Sequence, residues 1–173
     1  DGAGSGRTLA TLAAGGGGAR RVSVTGGGLL NARTLTLGPA SRLLLDGGLV
    51  RTRFPTLGQD GVLDWRNGTL QLDATVAMDG LQLPRRLDLT AGRTLRAGSS
   101  LIAGDGATLV LDGGALSART LDLRAGARLE AQGTVQAAVL GAAGSWIQAT
   151  GPLVLGDAFR ADGVQLAGVL WAG

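Results

Sequence analysis

Leu30-Asn-Ala-Arg-Thr-Leu-Thr-Leu37 returns 86 residues later as Leu116-Ser-Ala-Arg-Thr-Leu-Asp-Leu123. The echo runs on past its end: Arg42-Leu43 is matched by Arg128-Leu129, and Gly47 by Gly133. A second pair, Leu43-Leu-Leu-Asp-Gly-Gly48 and Leu109-Val-Leu-Asp-Gly-Gly114, lies 66 residues apart. These offsets divide into four units of about 21.5 residues and three of about 22, inside the range of solenoid repeats. A third likeness, Leu87-Asp-Leu-Thr-Ala-Gly92 against Leu121-Asp-Leu-Arg-Ala-Gly126, has an offset of 34. That is no whole number of units. It predicts either a strand–turn motif reused on another face of the unit or a unit length that varies.

Around these repeats the hydropathy alternates with period two. Val22-Ser-Val24, Leu35-Thr-Leu37, Leu70-Gln-Leu72, Leu81-Gln-Leu83, Leu87-Asp-Leu89 and Leu121-Asp-Leu123 each put two aliphatics on one face and a polar residue on the other. This is the pattern of a half-buried strand. A unit of two or three such strands cannot bury its own apolar face, but it can when stacked on its neighbours. The reading is therefore all-β: one right-handed parallel β-helix (β-solenoid) over residues 1–173, with about 20–22 residues per rung. About eight rungs would fill the chain and make a rod of roughly 38 Å. Residues 1–21 are expected to form an N-terminal cap or a first rung, with Thr8–Ala14 open to either helix or strand. A leucine-rich repeat needs an Asn ladder, and only Asn31 and Asn67 are present. An antiparallel sandwich would leave the repeats unexplained.

Composition agrees with narrow coils. Glycine numbers 32 and proline 4, and aromatics are only 3% of residues, so the apolar mass is small and stackable. The absence of Cys and His excludes disulfides, thiolate chemistry, imidazole acid–base catalysis and imidazole metal sites. No metal or other cofactor is expected. A net charge of +3 with signs interspersed gives no reason to expect nucleic acid as a partner. No apolar run approaches the ~20 residues of a membrane span.

Gly61-Val-Leu-Asp-Trp-Arg-Asn-Gly-Thr-Leu70 resembles the W-x-x-G-T-L rungs of Gly-rich bacterial surface β-helices. The run from Ser99 to Gly133 is similar in cadence to autotransporter passenger domains and haemagglutinin-like repeat adhesins. Gly151–Ala158 and Ala161–Gly168 look like late rungs of such repeats. The likeness covers most of the chain from about Val22. It implies export and an extracellular or cell-surface location, and it carries no active-site residues with it.

The candidate site residues are few. Asp60, Asp64, Asp73 and Asp79 are the densest acidic group. A polysaccharide-cleaving β-helix needs two or three carboxylates converging on one groove, and Asp60 and Asp79 could meet across adjacent rungs. The competing role is that of turn aspartates capping backbone N–H groups. Arg33 with Arg119, and Arg42 with Arg128, repeat within the unit and could line a face that binds anionic glycans, or simply be solvated. Trp65, Trp146 and Trp171 could stack on sugar rings or pack at a corner. Asp46 and Asp112, each before Gly-Gly, are expected to close corners as Asx-turns, and Glu130 is expected at the surface. Val169–Gly173 is apolar and uncapped, which predicts a longer parent chain or head-to-tail self-association. The functional expectation is a non-enzymatic structural or adhesive solenoid acting as stalk, matrix or fibre subunit. The alternative is a carbohydrate-binding or carbohydrate-cleaving β-helix, in which Asp60, Asp64, Asp79, Arg33, Arg119 and Trp65 contact a surface glycan.

Overall fold

A computed structural model describes residues 7–14, 20–57, 61–156, 164–166 and 169–172, with side chains over 21–57 and 61–156. The chain begins with β1 (Arg7–Ala14), β2 (Arg20–Thr25), β3 (Leu29–Leu37) and the long β4 (Ser41–Thr56). Then follow β5 (Val62–Leu72), β6 (Val76–Met78), β7 (Arg86–Thr90), β8 (Arg93–Ala103), β9 (Thr108–Asp112) and β10 (Ala115–Leu123). The last elements are β11 (Arg128–Gly141), β12 (Trp146–Gly156), β13 (Val164–Leu166) and β14 (Val169–Ala172). Every named strand pair is parallel. The strands stack as a β-solenoid of about seven turns, one fewer than the sequence repeat suggested. The open choice at the N-terminus resolves as a strand, with β1 pairing β3.

Each turn contributes three strand segments. The second segment shows the logic best. Leu30, Val50, Leu70, Leu95, Leu116 and Val135 lie in successive register, and each is at most 8% exposed. Four steps along this column lead from Leu30 to Leu116, which explains the 86-residue repeat. The 34-residue likeness is a motif reused on another face: Leu87-Asp-Leu89 lies in a first segment, paired with β9, whereas Leu121-Asp-Leu123 lies in a third, paired with Ile102 and Ala103 of β8. Turn length also varies, from 18 residues between Leu129 and Ile147 to 25 between Leu70 and Leu95. That range is wider than the 20–22 read from the repeats, because insertions at the corners leave the inward column of the second segment intact.

Third and first segments are joined by tight turns. The amides of Ser41, Ala107, Ala127 and Ser145 donate to the carbonyls of Gly38, Gly104, Arg124 and Ala142, three residues back. The third residue of each turn has positive φ: Ala40 at 58°, Gly106 at 69°, Gly126 at 71° and Gly144 at 79°. Only the first turn places a side chain in this left-handed conformation, which costs an L-residue about 1–2 kcal/mol. Ala40→Gly is therefore expected to stabilise the chain by about 0.5–1 kcal/mol, after the extra freedom glycine gives the unfolded state is subtracted. The urea midpoint measures this, and a lower midpoint would contradict it.

The longest step carries an insertion. Leu81-Gln-Leu83, read from its alternation as a strand, is irregular. Asp79 Oδ1 accepts the amides of both Leu81 and Gln82 at 2.8 Å, and Gly80 has φ 89°. Together they turn the chain before a ladder can form. Gln82 Oε1 accepts the Ala77 amide at 2.8 Å, and the Gln82 carbonyl accepts the Leu57 amide at 3.1 Å. Leu83 plunges into the core at 0% exposure, whereas Leu81 stays 46% exposed. The insertion is thus a fixed wedge between two turns. Among the described residues, no helix is long and apolar enough to cross a membrane.

Candidate functional site

The wedge opens the ladder on one side of the coil. In the second segment, β5 pairs β8 over Gly68–Leu72. In the first segment, among the described residues, 62–65 pair with β4 and β7 pairs with β9, not with each other. Among the described residues, no backbone hydrogen bond joins 62–66 to 86–90. The two edges meet again at the corner, where the Gly68 amide donates to the Gly92 carbonyl at 2.9 Å. Just inside it, the Arg93 guanidinium reaches both edges. Its Nη1 donates to the Asp88 carbonyl at 2.7 Å and its Nε to the Arg66 carbonyl at 3.4 Å. Arg93→Met should cost about 1–2 kcal/mol, since two carbonyls lose a charged donor. Faster hydrogen exchange at the Gly68 amide would localise the loss, and unchanged exchange there would contradict it.

Between these edges lies a cavity of about 250 Å³. Leu63, Trp65, Leu87 and Pro84 supply its apolar wall, and Asp64, Asp88, Arg86 and Arg93 its polar groups. Leu63 belongs to the inward column of Val22 and Leu43, yet it is only half-buried, where β7 of the next turn pairs β9 and leaves the cavity beside it. Asp64 Oδ2 accepts from Arg42 Nη2 at 2.8 Å, and Asp64 Oδ1 lies 3.6 Å from Arg66 Nε. Asp88 Oδ1 is buried without a hydrogen-bond partner. Arg86 Nη2 stands 3.0 Å away, but not in hydrogen-bonding geometry, so the ion pair leaves that oxygen's acceptor capacity unused.

Of the residues singled out by sequence, Asp64 and Trp65 border this cavity. Trp65 occupies the inward position of Leu45 one turn back and is 4% exposed. Its Nε1 donates to the Gly68 carbonyl at 3.2 Å. Its ring is therefore a corner-packing group with one edge toward the cavity, not an exposed stacking platform. Asp79 caps the wedge. Asp60 lies outside the described residues, so its expected meeting with Asp79 does too. Arg33 and Arg119 are exposed at the junction of second and third segments, four turns apart, or about 19 Å. Arg42 and Arg128 belong to the first segment, so the four arginines do not form one line.

Other polar groups link adjacent turns. Asp73 Oδ2 accepts from Arg51 at 2.7 Å. Asp46 accepts from the Asn67 amide and Asp112 from the Gln132 amide. These last two carboxylates tie one corner to the next turn, in place of the local Asx-turns expected of them. Trp146, 47% exposed, lies under the Arg128 guanidinium at 5.5 Å. The side chain of Trp171, and those of the terminal segment expected to drive end-to-end assembly, fall outside the described residues. Among the described residues, no group of three or more Asp or Glu side chains is placed to hold a metal ion.

Sequence reasoning missed Asp88 and Arg93, and gave Arg86 no weight beyond that of a basic pair with Arg85. Each sits in an ordinary alternating strand. They come together only because the long turn separates two edges that a uniform repeat would have joined. The available signal was the 24-residue spacing of Leu63 and Leu87, against 20 between Leu43 and Leu63 and 22 between Leu87 and Leu109. Compared with known protein families, curated proteins and solved structures, the chain has no match.

Proposed function

We propose that this chain is a non-enzymatic structural or adhesive β-solenoid that acts outside the bacterial cell as a stalk, matrix or fibre subunit. The observation that carries the reading is where the polar side chains point. Arg42–Asp64, Arg51–Asp73, Asp46–Asn67, Asp112–Gln132 and Thr75–Ser99 all bridge one turn to the next. Each such surface link contributes only about 0–1 kcal/mol. Repeated along the axis, they reinforce a backbone ladder that already resists shear between turns. The outward faces then offer a fixed, periodic surface for contact.

Incubation with acidic and neutral polysaccharides tests the non-enzymatic part. The expected result is no new reducing end and no ultraviolet-absorbing unsaturated product. Product formation that Asp64→Asn or Asp79→Asn abolishes would overturn it.

A further inference from the structure

We infer that the cleft between the turn of β5 and the turn of β7 is a binding site for one neutral pyranose ring. This goes beyond the stalk reading and does not depend on it. Three observations carry it. First, the cleft is built rather than accidental. The Asp79 cap, the Gln82 side-chain bond to Ala77 and the burial of Leu83 fix the wedge that opens it, and the Arg85 carbonyl accepts the Thr108 amide at 2.8 Å, tying its far end to the next turn. A site held open before its ligand arrives avoids the ordering cost of binding.

Second, the lining has the mixed character that a polyol needs. The half-buried Leu63, backed by the nearly buried Leu87 and Trp65, provides apolar surface for the C–H face of a ring. Asp64 and Asp88 provide acceptors, and Arg86 and Arg93 donors. Two carboxylates against two guanidiniums leave the lining without net charge, which favours neither an anion nor a cation. The volume of about 250 Å³ lies just below the range of about 300–1,000 Å³ typical of drug-sized ligands, so a single ring fits better than a larger molecule. The two edges converge to a hydrogen bond at Gly68 and Gly92, and Arg93 closes the narrow end. An inserted peptide strand would have no room to pair along both edges.

Third, the Asp88 side chain is 43% exposed on its lip and, among the described residues, meets only Arg86, with Oδ2 3.4 Å from its Nε and Oδ1 3.0 Å from its Nη2, which leaves that carboxylate with accepting capacity toward the cleft. A ligand hydroxyl donated to that carboxylate would make a charge-assisted hydrogen bond. Asp64 stands on the opposite lip to receive a second hydroxyl.

The test uses the chain with W146F and W171F, so that Trp65 is the only fluorophore of its kind. Methyl glycosides of common neutral hexoses and N-acetylhexosamines, their oligosaccharides, and one basic and one acidic peptide are titrated against it. The expected result is a saturable change in Trp65 emission with at least one neutral sugar, at millimolar concentration. D88A should weaken that response about tenfold or more, as the loss of a charge-assisted hydrogen bond implies. L63F, which fills the cleft without removing any polar group, should abolish it. Q148A, at an exposed position three turns from Asp88 along the same segment, should leave it unchanged. Tighter binding of oligosaccharides identifies a polysaccharide as the source of the ring, and equal affinity a free sugar; both support the site. The absence of a saturable response to any neutral sugar, a response only to a peptide, or binding that survives both D88A and L63F would overturn it.

Discussion

Gly68→Ala is expected to lower the unfolding free energy by about 2–6 kcal/mol, among the largest single-residue losses in this chain. Two independent strains add. Gly68 has φ 99°, a conformation that side chains rarely adopt and that costs about 1–3 kcal/mol. A Cβ built there would also lie 2.5 Å from the Gly48 carbonyl oxygen and 2.9 Å from its nitrogen. Both atoms belong to the backbone of the preceding turn, so relief requires the rungs themselves to part, at a further cost of about 1–3 kcal/mol. Gly106→Ala is the internal comparison. Its φ is 69°, but nothing lies within 4 Å of the added Cβ, so only the conformational cost of about 1–2 kcal/mol applies. Denaturant unfolding of the two variants measures the difference. Equal losses would mean that turns are not in close backbone contact at this corner.

Leu95→Ala should cost about 3–5 kcal/mol. Leu95 is 0% exposed and sits between Leu70 and Leu116, so truncation leaves a cavity closed above and below by neighbouring turns. Leu63→Ala removes the same atoms from another inward column, yet it should cost only about 1–2 kcal/mol. Part of the Leu63 side chain already meets the cleft, so less burial is lost. This ordering follows from the opening in the ladder. A Leu63→Ala variant as damaging as Leu95→Ala would show that the first segments are stacked there as tightly as the second.

The architecture was legible because a stacked coil writes its geometry into the sequence twice. Alternation gives the inward and outward sides of each strand. The spacing of like segments, such as Leu30–Leu37 and Leu116–Leu123, gives the number of turns between them. Both signals depend on local chemistry and so survive in one sequence. The cleft was not legible, for two physical reasons. The wedge at Asp79–Arg85 imitates a strand, since Leu81-Gln-Leu83 alternates like its neighbours. What unmakes it is the Asp79 carboxylate competing for the amides of Leu81 and Gln82. In addition, the groups facing each other across the opening, Asp64 and Trp65 on one lip and Arg86 and Asp88 on the other, are juxtaposed by the register of the second segment, where β5 meets β8. Asp64 and Trp65 were noticed as residue types suited to a sugar. Their partners looked like ordinary surface positions of a regular rung. The packed position of Trp65 was one of the two roles open to it from sequence, and a ring in a column of aliphatics is tolerated there because the next turn stands away from it.

Parallel stacking in the stated register is the claim on which everything else rests, and engineered disulfides test it most directly, since the chain has no native cysteine. Thr69 lies opposite Thr94 and Gln71 opposite Arg96. Neighbouring Cα atoms across a ladder fall within the ~4.4–6.8 Å that a disulfide spans. T69C/T94C and Q71C/R96C should therefore both close quantitatively under mild oxidation in the folded state. If the strands ran antiparallel with Thr69 opposite Thr94, Gln71 would face Gly92 instead. Closure of the first pair with failure of the second, or failure of both, would contradict the stacked coil.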